Sequence, residues 1–158
     1  MKNTFIIIVG FFGFCISGFA QPTKLSEPHS CFIAMVVSNI DTSVNWYRSN
    51  LGMKLKNRVE SKERGFKQAN LTRSQIHIEL IELNSMVSKK DVSKNEPNKE
   101  IQGVVKFGFV VKDFNNWYSQ MLKQKVRFHG KIVRDDETGK RMFLIEDPDD
   151  NKIQIFEE

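Results

Sequence analysis

Cysteine is scarce in this chain, with Cys15 and Cys31 its only two. If the apolar leader that carries Cys15 is removed, one thiol is left, so no intrachain disulfide forms and the fold must stand on packing alone. Cysteine and histidine show no zinc-finger spacing, no glycine-rich phosphate loop is present, and no Gly-x-Ser-x-Gly elbow occurs. These absences argue against P-loop nucleotide chemistry, an α/β-hydrolase nucleophile and a finger-type metal site. No apolar run approaches the roughly 18–20 residues that a spanning helix needs.

What stands at the start is a shorter apolar segment. Lys2 precedes the run Phe5 to Ile16, and Gly18 and Ala20 place small residues at −3 and −1 before Gln21. This is the layout of a secretory signal peptide, so residues 1–20 are read as a leader and the protein as exported, periplasmic or secreted, with no stable membrane insertion. The whole chain carries a net charge of +5, too mild to indicate a partner by itself. Residues 21–30 form an extension. Cys31, at the head of a strand-like run, reads as a small buried hydrophobe.

The rest of the chain says a similar thing twice. Val36-Val37, a polar run, then Asn45-Trp46-Tyr47 is echoed by Val110-Val111, a shorter polar run, then Asn116-Trp117-Tyr118. Repetition at this length predicts two similar supersecondary units, with a ligand site at or between them. The first unit, 31–83, reads as a strand over 31–37, a helix from about Thr42 to Asn50 closed by Gly52, and strands over 54–61, 65–72 and 75–83. The second, 103–158, reads as a strand over 104–111, a helix over 114–123, and strands near 126–134, 141–145 and 152–156. Both are β-α-β-β-β, joined by a hydrophilic connector, 84–102, of the length that often serves as a lid. The fold class is therefore α+β.

Three stretches carry a family resemblance: Phe32-Ile33-Ala34-Met35-Val36-Val37, Trp46-Tyr47-Arg48-Ser49-Asn50-Leu51-Gly52-Met53, and the closing Glu146-Asp147-Pro148-Asp149-Asp150-Asn151-Lys152-Ile153-Gln154-Ile155. Together they resemble the vicinal oxygen chelate superfamily of glyoxalase I, bleomycin-resistance proteins and extradiol dioxygenases. The resemblance implies tandem βαβββ modules forming a curved mixed sheet around a U-shaped cavity. It also implies a homodimer, since dimers of the superfamily exchange or share modules.

Metal-dependent members place a His and a Glu on the first and last strand of each module. By position these slots fall on Phe32, Glu79, Lys106 and Gln154, so one ligand of four survives. Phenylalanine has no donor atom and an ammonium repels a cation, so no cofactor is expected. The alternative is a divalent metal held by Glu79 with His77, which strand alternation puts on the same face, in a glyoxalase-like lyase, isomerase or dioxygenase.

The expected function is binding of a small molecule, with Phe32, His77, Glu79, Lys106, Gln154 and Phe156 lining the pocket and no catalytic residue assigned. Lys106 would pair with Glu79 or meet an anionic or carbonyl oxygen of the ligand, with Glu79 and Gln154 receiving its donors. His129 and His29 read as surface residues. Nucleic acid is not an expected partner, because the Gly-aromatic signature of an RNA-binding sheet is missing.

Overall fold

A computed structural model describes residues 28–95 and 102–158. The leader at 1–20, most of the 21–30 extension and the centre of the connector lie outside the described residues.

The first unit runs β1 (Cys31–Val36), α1 (Ile40–Leu51), β2 (Lys54–Ser61), β3 (Phe66–Arg73), β4 (Ile76–Leu83). A short helix, α2 (Lys89–Asn95), follows in the connector. The second unit runs β5 (Lys106–Val111), α3 (Phe114–Lys123), β6 (Arg127–Phe128), β7 (Val133–Arg134), β8 (Arg141–Glu146), β9 (Lys152–Glu157). Each unit makes its own mixed sheet, in the order β1-β4-β3-β2 and β5-β9-β8-β6, with β7 also on β8. In both, the first strand runs parallel to the last and antiparallel pairs complete the sheet. The fold is α+β, as the periodicity predicts.

Local chemistry sets the first helix. The Asn39 side chain accepts from the Thr42 amide at 2.9 Å, and Glu82, reaching over from β4, accepts from the Ile40 amide at 2.7 Å. Gly52 closes the helix in the left-handed region, at φ 63°, where a side chain is disfavoured. Arg73 donates to the Leu51 carbonyl at 2.7 Å and lies over the Trp117 ring of α3, 4.9 Å from its centroid. One arginine thus ties the end of α1 to the second unit.

Helix and sheet meet in one apolar core shared by both units. Ile40, Tyr47 and Leu51 of α1 pack with Leu71, Ile78 and Leu80, and the same cluster takes in Phe114, Phe143, Ile145, Ile153 and Ile155. Burying each large aliphatic contributes roughly 1.5–3 kcal/mol. Strand alternation sends the intervening residues to the other face. Phe107 and Phe109 pack on the core, whereas Phe32, Ala34, Val36, Lys106, Gly108 and Val110 are exposed.

Three expectations are corrected. Cys31 is exposed, because the strand begins with it, beyond the edge of the helix-covered core. The strand expected over 126–134 is broken into two residue pairs, since Gly130 at φ 87° turns the chain off the β8 ladder. The connector contains a helix, whose Asp91 and Val92 amides both donate to the Ser88 carbonyl. Among the described residues no helix is long and apolar enough to cross a membrane.

Candidate ligand site

A cavity of about 550 Å³ opens between the two units, where the edge strands β1 and β5 face each other. Its walls are residues 33–38 on one side and 104–107 on the other. The connector closes one end with Met86, Val87 and Lys89, and the turn before β9 closes another with Asp149, Asn151 and Lys152. Apolar and polar side chains share the lining of this cavity. Val36, Val87, Val104 and Val105 all line it and are all exposed, Val104 to 80%.

The turn that forms one wall is fixed from within. Asp147, 1% exposed, accepts from the Tyr47 hydroxyl at 2.9 Å, from the amides of Asp149 and Asn151, and from the Asn151 side chain. Burial, with Asp147 beside it, pushes the Tyr47 phenol well above its ordinary range. Asp149 then accepts from the Ser38 amide at 3.1 Å and the Ser43 hydroxyl at 3.4 Å, and Lys89 donates to Asn151 at 2.7 Å. The mouth is therefore assembled from β1, α1, α2 and the last turn.

The six residues expected to line a pocket divide between the two sheets. Phe32, His77 and Glu79 border a hollow of about 280 Å³ with Lys56, Asn57 and Asn70. Phe32 is the register partner of His77, and Glu79 that of Asn70. Lys106 lines the large cavity. Gln154 and Phe156 stand on β9, opposite Gly108 and Val110 of β5, on the face turned from the core. Glu79 does not pair with Lys106; it accepts from the Gln68 side-chain Nε2 at 2.5 Å. His129 is exposed as expected, yet its Nδ1 lies 2.8 Å from Glu146 Oε1, and Arg127 Nε approaches the other carboxylate oxygen at 2.8 Å. His129 thus belongs to the second sheet and forms no cluster with His77 and Glu79.

A family-model match covers residues 31–155 and describes the glyoxalase/bleomycin resistance protein/dioxygenase superfamily. The chain belongs to that superfamily. Its fold is similar to a glyoxalase family protein from Enterococcus faecalis, at 19% identity and TM-score 0.67, covering 82% of this chain and 96% of that one. It is also similar to the trypanothione-dependent glyoxalase I of Leishmania major, at 22% identity and TM-score 0.60, covering 84% and 88%. A glyoxalase/bleomycin resistance protein/dioxygenase domain from Frankia sp. EAN1pec matches at 15% identity and TM-score 0.63, covering 85% and 93%. No curated protein matches by sequence.

The superfamily's divalent metal does not fit the residues present. Of the four ligand positions only Glu79 is a carboxylate, and it is engaged by Gln68. Lys106 brings an ammonium to another position, and the Gln154 amide nitrogen is directed at Met142 Sδ, 2.9 Å away. Among the described residues no three His, Cys, Asp or Glu side chains converge as a metal would require.

Of the residues expected to line a pocket only Lys106 is in the wall of this cavity, and among the wall residues that escaped the sequence reading are Ala34, Val104, Val105 and Lys152. Lys152 had a signal, since it alternates with Gln154 and Phe156 along β9 and so shares their face. Val104 and Val105 did not, because an expected strand gives no hint that its first residues leave the sheet to line a cavity.

Proposed function

We propose that this superfamily member binds a small organic molecule in the cavity between its two units, without the superfamily's metal, and acts after export. The cavity carries the reading. Its volume falls within the roughly 300–1,000 Å³ of ligand sites, and its walls combine exposed valines with a few polar and charged groups. Phe32, His77 and Glu79 extend the same exposed face on the first sheet, and Gln154 and Phe156 on the second. The absence of a fitting donor set argues against Lewis-acid chemistry at Glu79. Export rests on the layout of residues 1–20, and a mature chain beginning at Gln21 in the extracytoplasmic fraction would support it.

Titration with N-phenyl-1-naphthylamine, a neutral fluorescent probe, tests the cavity. Saturable fluorescence enhancement is expected with the natural chain. It should be lost in Ala34→Trp, whose indole would fill the cavity from an exposed position without touching the core. An unchanged titration curve in that variant would refute the site.

A second copy of the chain is a further partner for this face. Phe32, Val36 and Val110 are 69%, 48% and 67% exposed on the two edge strands, an apolar surface that a homodimer would cover. Light scattering during gel filtration separates the two masses, and a monomer at all concentrations would exclude the dimer.

A further inference from the structure

The charges around the cavity do not balance locally. Lys106 on β5 and Lys152 on β9 are register partners on adjacent parallel strands, and both line the cavity on the face turned from the core. Like charges directly opposite each other repel, and such a pair usually has a carboxylate nearby. Here the nearby carboxylates are already engaged. Glu146, the register partner of Lys152 on β8, is held by Arg127 and His129. Asp149 is held by Ser38 and Ser43, Asp91 faces Lys94 at 3.4 Å, and Glu79 is held by Gln68. Among the described residues neither the Lys106 nor the Lys152 side chain has an ion pair or hydrogen bond, and Lys89 adds a third ammonium to the same walls.

Beyond the lysines the face becomes apolar. On this face the next register pair along β5 and β9 is Gly108 with Gln154, and the one after it is Val110 with Phe156. A Cβ on Gly108 would lie 2.5 Å from the Gln154 carbonyl oxygen, so only glycine permits this close approach, which holds β5 against β9 next to the lysine pair.

We infer that the ligand is an amphipathic organic anion, its carboxylate, sulfonate or phosphate held between Lys106 and Lys152 and its apolar body in the cavity against the exposed Val104 and Val105. The inference rests on the binding reading above and names the chemical class of its ligand. Two ammonium groups converging on one anion form charge-assisted hydrogen bonds, the strongest kind available at a half-exposed site. They also gain more from the anion than from each other's company.

The test compares two probes of similar apolar body, anionic 8-anilinonaphthalene-1-sulfonate and neutral N-phenyl-1-naphthylamine. The natural chain is expected to bind the sulfonate more tightly, with an affinity that falls as salt rises. Lys106→Met and Lys152→Met should each weaken the sulfonate about tenfold and leave the neutral probe within a factor of two. Lys106→Gln and Lys152→Gln, which keep a polar surface, should behave like the methionine variants, and unchanged circular dichroism confirms the fold. If the ratio of the two affinities is the same in all these proteins, the anion inference is overturned while the cavity stands. If Ala34→Trp leaves both probes unaffected, the cavity reading itself fails, and the inference with it.

Discussion

The Tyr47 hydroxyl, on the helix of the first unit, donates to the buried Asp147 carboxylate in the last turn of the second, at 2.9 Å. Tyr47 is fully buried, and Asp147 is the only buried charged side chain among the described residues. A hundred residues of sequence separate the two, so the bond closes the domain. It also holds the turn that carries Asp149, Asn151 and Lys152 into the cavity wall.

Tyr47→Phe keeps the ring and removes one donor from a buried carboxylate. A loss of about 1–3 kcal/mol in unfolding free energy is expected in urea titration. Asp147→Ala removes the carboxylate that accepts from Tyr47, from the Asp149 and Asn151 amides and from the Asn151 side chain, and should cost more, roughly 3–5 kcal/mol. Equal stability of Tyr47→Phe and the natural chain would show that the bond does not tie the units together.

Acid should destabilise the fold through two carboxylates at sheet ends. Arg141 bonds Glu157 through its guanidinium and its backbone amide, which holds the carboxyl down to about 2 from 4.5. Lys67, and then the Ile40 amide, lower Glu82 in the same direction. Because both folded values lie below the unfolded ones, the folded chain binds fewer protons. The stabilisation is present above the unfolded value near 4.5 and is lost as pH falls toward the folded values. The urea midpoint should drop steeply below about pH 4.5, less steeply in Glu157→Gln. An identical acid limb in that variant would contradict the assignment.

Gly108→Ala forces a methyl group to within 2.5 Å of the Gln154 carbonyl oxygen. Backbone cannot yield as a flexible side chain can, so β5 must move off β9. A destabilisation of about 1–3 kcal/mol is expected from thermal unfolding, with weaker binding of both naphthalene probes. An unaltered melting temperature would mean that the two strands are less tightly placed than described.

The architecture was legible because its signals are local and repeated. Helix α3 and strand β2 begin and end where periodicity and breakers place them, at 114–123 and 54–61. Helix α1 starts two residues before the expected Thr42, at the residue after its Asn39 cap, and the Glu82 carboxylate that also accepts from Ile40 comes from a strand 42 residues away, which local patterning does not register. Gly130 hid its effect for a related reason, as a glycine in a β-rich run announces flexibility and not the direction of a turn. The site was legible by face but not by neighbour. Alternation put Phe32, Lys106, Gln154 and Phe156 on the outward face, yet the Lys106–Lys152 adjacency depends on parallel pairing of the first and last strands of a unit. The expected Glu79–Lys106 pair failed for the same reason, because the two residues belong to different sheets and Gln68, one strand away from Glu79, reaches it first.

The most direct test of the central claim is elemental analysis of the chain from Gln21 to Glu158, incubated anaerobically with Zn²⁺, Ni²⁺, Mn²⁺ and Fe²⁺ and then desalted. The expected result is metal far below one equivalent per chain, with N-phenyl-1-naphthylamine still bound. Near-stoichiometric metal that disappears in Glu79→Ala would contradict it and return the superfamily's metal chemistry to this protein.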